Sequence, residues 1–364
     1  MKKGLGVDRW LFFFVAALVA LGITMVLSTS YLYAQDRFSE GSYFFRKQIL
    51  AVAAGTLALF ITALLPTEIY RRLAYPLLAI TLIMLALVLI PGIGVSRGGA
   101  RRWLPLGGLS FQPGEMAKLS LVLYLAHSLA KKGEKVRTFT IGVLPHLVIG
   151  GIFLALIVLE PDLGTTVILG MILFFMLFVA GVKVSYLAGL ALMGLPVVAF
   201  LVIGAEYRLR RLLTFLDPWK DASKSGFQII QSYIAFGSGQ FFGLGLGESR
   251  QKLFYLPEAH TDFIFSVIGE ELGLMGALLV LALFGGFLLR GFRVALKTEE
   301  PFHQYLAFGL TALIGLQALI HMCVVMGLMP TKGLVLPFIS YGGSAMVMNL
   351  AVAGVLLNLS RGSR

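Results

Sequence analysis

Long apolar runs separated by short polar stretches dominate the chain. They fall at about 10–30, 48–66, 76–92, 114–130, 140–159, 164–181, 186–204, 262–289, 303–328 and 337–359. Runs of this length match the ~30 Å hydrocarbon core of a bilayer when helical. Unpaired backbone groups are prohibitive in lipid, and the runs lack the alternation of barrel strands, so helix is the expected form throughout. The pattern therefore predicts an all-α, polytopic membrane protein with about ten transmembrane helices and both termini on one side. Residues 1–364 read as a single transmembrane domain, with 205–261 as a long loop between helices 7 and 8. A loop of that length exceeds an ordinary connection and implies a functional or partly structured segment. Its middle, 227–242, is aromatic and β-branched, as in an interfacial or re-entrant element.

Composition agrees: 58% of residues are hydrophobic and only 13% charged, too little polar surface for a soluble protein of 364 residues. The formal net charge of +12 is spread through loops between apolar runs, which favours anionic lipid or a phosphate-bearing lipid substrate over nucleic acid. Lys2, Lys3 and Arg9 precede a first run of about 20 residues with no small-residue cleavage site, so that run is expected to stay as an anchor. The only cysteine, Cys323, excludes a disulfide framework. With the N-terminus inside, the basic clusters at 71–72, 131–137, 290–297 and 361–364 are cytoplasmic. The opposite face then holds Arg97, Arg101, Arg102, Arg208, Arg210, Arg211, Lys224, Arg250, Lys252 and Lys332 against the usual bias. Such a face calls for an anion, and a diphosphate is the natural kind.

The polar stretch YLPEAHTDFIFSVIGEELGL, 255–274, re-enters an apolar run and concentrates the candidate chemistry. A helix starting near Thr261 would put Asp262 in its first turn, where free amides favour a carboxylate. Asp262, Ser266, Gly269, Glu270 and Gly273 would then share one small, polar side, with Glu270 roughly 12 Å deeper. Carboxylates at membrane depth usually face a bundle interior or a wet cavity. Asp262 is equally readable as a helix cap. In GARRWLPLGGLSFQPGEMAKLSL, 99–121, Pro113 and Glu115 suit a helix start, but a cation at Lys118 does not unless Glu115 pairs with it. That pair is either structural or lines a polar cavity. Asp162 in EPDLGTT caps the following helix or belongs to the site. The Gly- and Pro-rich stretch 330–344 implies shaped backbone lining a cavity. Within it Lys332 suits a phosphate or snorkels to headgroups, and Ser340 is a further candidate. Gly243, Gly245 and Gly247 lack the strand-turn-helix context of a nucleotide loop, and His260 and His321 lack zinc-like spacing.

Together GARRWLPLGGLSFQPGEMAKL, EPDLGTT, YRLRRLLTFLDPW, GFQIIQSYIAFGSGQFFGLGLG, YLPEAHTDFIFSVIGEELGLMG and PTKGLVLPFISYGGS resemble the SEDS family (shape, elongation, division and sporulation) of membrane glycosyltransferases. PTKGL and PEAHTDFIF are more similar to its division members than to its elongation members. The resemblance implies polymerisation of lipid II with inversion, releasing undecaprenyl diphosphate, during septal wall synthesis. It makes Asp262 the catalytic aspartate, with Glu115, Lys118, Lys332, Arg102, Arg208, Asp162 and Ser340 expected around the substrate. The implied partners are a lipid-linked glycan, a class B penicillin-binding protein and division regulators. The implied place is the septal cytoplasmic membrane, with the site on its outer side. A divalent cation, Mg or Mn, is a conceivable aid to the diphosphate, although no carboxylate cluster demands one. A lipid II flippase and an elongation-specific polymerase are the alternatives. Three positions depart from the family pattern: Gly114 replaces a serine, Ala345 replaces a serine and His321 replaces an asparagine.

Overall fold

The computed structural model describes residues 6–362 apart from 98, 107–108, 224, 253–255, 257–258 and 332. Lys224 and Lys332, singled out above, lie outside the described residues, as does Glu258. Three long helices open the chain: α1 (Arg9–Phe38), α2 (Tyr43–Leu64) and α3 (Thr67–Leu89). After a small sheet follow α4 (Pro113–Lys132), α5 (Leu144–Leu159), α6 (Leu163–Val179) and α7 (Val184–Ile203). The segment after α7 forms α8 (Glu206–Leu216) and α9 (Phe227–Gly239). Then come α10 (Ile264–Glu271), α11 (Gly273–Lys297), α12 (Pro301–Val325) and α13 (Gly343–Ser360). Among the described residues, eight helical stretches are long and apolar enough to cross a membrane, α5 being counted with the π turn before it. The two other expected spans are also helical. However, α6 has 17 residues, and α4 carries Glu115, Lys118, Lys131 and Lys132 within its 20.

The small sheet was not foreseen in an all-α reading. Strands β1 (Val95–Arg97), β2 (Ala100–Leu106) and β3 (Leu109–Phe111) pair antiparallel in that order, with Ser96 opposite Arg101 and Pro105 opposite Ser110. Strands this short, set among glycines, leave no hydrophobic period to read. Their effect is positional. Successive side chains on a strand point to opposite faces, so Arg101 donates to the carbonyl of Leu89 at 3.3 Å while its neighbour Arg102 turns to Asp162.

Helices α4, α12 and α13 form the enclosed centre, whereas α7 lies almost wholly on the outside. Helices α2 and α13 also cross closely. A Cβ on Gly354 would stand 2.3 Å from the carbonyl oxygen of Leu59, so only glycine fits. Thr62 uses that proximity to donate to the Ala351 carbonyl at 3.0 Å.

The polar side expected along 262–273 proves to be a packing face. Ser266 bonds the Ser232 hydroxyl at 2.7 Å, and Gly269 lies against α9. Glu270 accepts from Ser249 and from the Arg250 amide, and so caps the backbone of the returning loop. Membrane-depth polar groups here satisfy one another because no water is at hand to do so. The helix also breaks at Gly273, whose φ is +65°, which divides the expected single span into α10 and α11.

Candidate functional site

Asp162 is the best-connected carboxylate of the cluster. It caps α6, with Oδ1 accepting from the Thr165 amide and Oδ2 from the Thr165 hydroxyl, both at 3.0 Å. Oδ2 also accepts from Gln112 Nε2 at 3.3 Å and faces Arg102 Nη1 at 3.6 Å. The cap reading of Asp162 holds, and the same carboxylate also meets Gln112 and Arg102. Arg102 is partly buried, and its Nε has no partner.

Gln112 immediately precedes α4. Its amide donates to Ser344 Oγ at 3.2 Å, and that hydroxyl donates to the Ser110 carbonyl at 3.1 Å, which fixes α4 against the start of α13. Glu115 and Lys118 follow on the first two turns of α4, 2.7 Å apart and both buried. Pairing is what makes a lysine tolerable so near a helix N-terminus. At Gly114 a Cβ would meet Gln112 Nε2 and Thr165 Cγ2 at 3.8 Å, ordinary contact, so space does not demand a glycine there.

Asp262 does not sit in the first turn of a helix. Helix α10 begins at Ile264, and Asp262 occupies the turn before it. The position is set from the far end of the chain. Ser340 Oγ donates to the Thr261 carbonyl at 2.7 Å while accepting from the Leu336 amide at 2.8 Å, and the Tyr341 amide donates to the His260 carbonyl at 2.9 Å. His260 is wedged among aromatic rings, with Phe44 at 4.6 Å and Tyr341 at 5.7 Å between centroids. Ser340 is thus a clasp on the loop that carries Asp262. A Cβ on Gly333 would lie 3.2 Å from Asp262 Oδ2 and 4.0 Å from Arg102 Nη2. The aspartate and the arginine therefore converge on one point, beside the 331–336 loop.

The other expected residues divide. Arg208 stays at the corner of α7 and α8, donating to the Leu201 carbonyl at 3.0 Å and the Tyr207 hydroxyl at 2.8 Å. These bonds hold it at that corner. It is Arg211 that reaches the Thr331 carbonyl, at 3.4 Å, next to Lys332. Sequence reasoning also missed Gln112 and Glu160. Glu160 is buried, neither carboxyl oxygen has a hydrogen-bond partner, and burial together with the Asp162 charge pushes it up to about 8 despite Arg102. Its only sequence signal was its place two residues before Asp162.

A bundle of apolar helices, with the partly buried Asp262 and Arg102 beside the buried Asp162 and with a buried Glu115–Lys118 pair on α4, defines a multi-pass membrane protein. The chain belongs to the FtsW, RodA and SpoVE family of cell cycle proteins, whose model matches residues 9–364. It is 46% identical over 353 residues to the probable peptidoglycan glycosyltransferase FtsW of Geobacter metallireducens, covering 97% of this chain and 94% of that one. It is 41% identical to stage V sporulation protein E of Bacillus subtilis, over 98% of both. Among solved structures it resembles a chain described under "Structural coordination of polymerization and crosslinking by a peptidoglycan synthase complex". That match has a TM-score of 0.80, 32% identity and 98% of both chains covered. It also resembles RodA of Thermus thermophilus, with a TM-score of 0.74, 31% identity, and 100% of this chain and 99% of that one covered.

Proposed function

We propose that the chain is a peptidoglycan glycosyltransferase that polymerises lipid II at the outer side of the cytoplasmic membrane during septal wall synthesis. Relatives are named as probable peptidoglycan glycosyltransferases, and the convergence of Asp262 and Arg102 beside Gly333 is the observation that supports the reading here. A sugar 4-hydroxyl is a poor nucleophile at neutral pH. As its oxygen attacks the anomeric carbon, its proton passes to the Asp262 carboxylate. The bond from the anomeric carbon to the diphosphate oxygen breaks, and the diphosphate leaves with the electron pair. Arg102, whose Nε has no protein partner, is suited to meet that developing charge, with Lys118 and Lys332 as the further cations. Asp162 holds Arg102 in place, and Ser340 holds the backbone beside Asp262.

A crosslinking enzyme of the class B penicillin-binding type is the natural partner, as the peptidoglycan synthase likeness supports. A divalent cation would have to be held chiefly by the diphosphate itself, because the described residues gather no group of three or more metal-ligating side chains. The test is polymerisation of lipid II by the purified chain with its partner. Asp262→Ala should lower the rate by about 10² to 10⁴ with an unchanged melting temperature. Normal glycan from that variant would remove Asp262 from the role of base, and lipid movement without glycan from the native chain would favour a flippase.

A further inference from the structure

The end of the bundle opposite the aspartates carries a second feature that the polymerase reading does not use. Helix α13 has 18 residues, so its two ends stand ~27 Å apart. At its far end the start of α1, the end of α2 and the end of α13 enclose an apolar cleft of about 270 Å³. Leu59, Phe60, Ala63 and Leu357 form its walls, and Arg9 and Arg361 stand at its rim.

Three observations give this cleft an occupant. First, among the described residues no carboxylate pairs with Arg9 or Arg361. The neighbouring Asp8 is taken by Arg290 and by the amides of Trp10 and Leu11, which leaves Arg9 exposed and without that carboxylate. Second, Arg361 is not merely snorkelling to water: its Nε is buried and has no hydrogen-bond partner. Third, the cleft opens among exposed apolar side chains, Phe12, Phe60 and Leu64, with Trp10 beside them, an amphipathic ring suited to the headgroup level. Apolar walls under a pair of arginines, at the end of a membrane bundle, match a lipid that has a phosphate above and a chain below. The volume suits part of one acyl chain rather than a whole lipid.

We propose that this cleft binds an anionic glycerophospholipid, with the phosphate between Arg9 and Arg361 and one chain along α2 and α13. The site is separate from the substrate site and does not depend on the proposed activity. The full chain, delipidated in detergent, is offered phosphatidylglycerol or phosphatidylcholine at equal concentration, and retained lipid is counted by native mass spectrometry. The native chain should keep phosphatidylglycerol with a preference of roughly tenfold, two arginines acting on one headgroup. The variant R9Q/R361Q should lose that preference, and R9K/R361K should retain most of it, each with an unaltered melting temperature. Equal retention of the two lipids by the native chain would overturn the proposal, as would an undiminished preference in R9Q/R361Q. Release of the bound lipid by millimolar inorganic phosphate would also overturn it, because the anion alone would then be the ligand.

Discussion

Glu160 and Asp162 stand two positions apart and meet opposite conditions. Asp162 has an amide, a hydroxyl, a carboxamide and a guanidinium around it, while Glu160 is buried with none of its oxygens bonded. Burial, and then the Asp162 charge, raise Glu160 to about 8 from an ordinary 4.5. The sign of the consequence follows. Between pH 4.5 and 8 the unfolded chain gives up this proton and the folded chain keeps it, so stability falls as pH rises through that window. Glu160→Gln keeps the neutral shape at every pH. Thermal unfolding in detergent should therefore show a flatter pH profile for this variant, and at pH 8.5 a gain on the order of a few kcal/mol. Parallel profiles for the two proteins would mean that Glu160 is solvated. Nothing in a sequence separates such a pair: both are acids near a helix start, and only the packing of α5 against its neighbours decides which finds partners.

The elements were legible to different degrees. Apolar runs located the long helices, since lipid leaves the backbone no alternative to its own hydrogen bonds, but the end of α1, the start of α3 and both ends of α11 lie two turns or more from the predicted bounds. The sheet and the true start of α10 were not legible, because each depends on contacts made far away in sequence, such as that of Ser340 with Thr261. The polar face along 262–273 was read as facing either a bundle interior or a wet cavity, and α9 fills it, so the first holds. That crossing makes a sharp test. A Cβ on Gly239 would stand 1.9 Å from the Gly269 carbonyl oxygen, whereas one on Gly237, in the same helix, meets nothing within 4 Å. Gly239→Ala should force α9 away from α10, lower the melting temperature by several degrees and reduce polymerisation, because α10 carries the Asp262 turn. Gly237→Ala should leave activity intact and stabilise by about 0.5–1 kcal/mol through helix propensity. Equal behaviour of the two variants in a melting experiment would show that the crossing is not tight.

Across the whole molecule, loop backbone lies at membrane depth, and buried ion pairs hold it there. Lys252, on the strand of chain returning from α9 toward Asp262, is buried with its Nζ 3.2 Å from Glu271 and beside the Ser28 hydroxyl of α1. Ser28 in turn donates to both Glu271 oxygens, at 2.6 and 2.8 Å. One cluster therefore ties α1, the end of α10 and the returning loop together, at the far end of α10 from the Asp262 turn. Sequence counted Lys252 among the loop charges and gave no sign of its burial against Glu271, because charge counts follow chain order and not packing. Such a pair is not worth much in itself, since desolvation offsets most of its attraction, but half of it is costly. Lys252→Met should destabilise by about 3–5 kcal/mol through an uncompensated buried carboxylate. Glu271→Leu should do the same from the other side, and the double variant should recover most of the loss. Melting temperatures of the four proteins form a double-mutant cycle, and additive losses would show that the loop is held by something other than this pair. Polymerisation should follow the same order as stability, because Glu271 ends the helix α10 that begins just after the Asp262 turn.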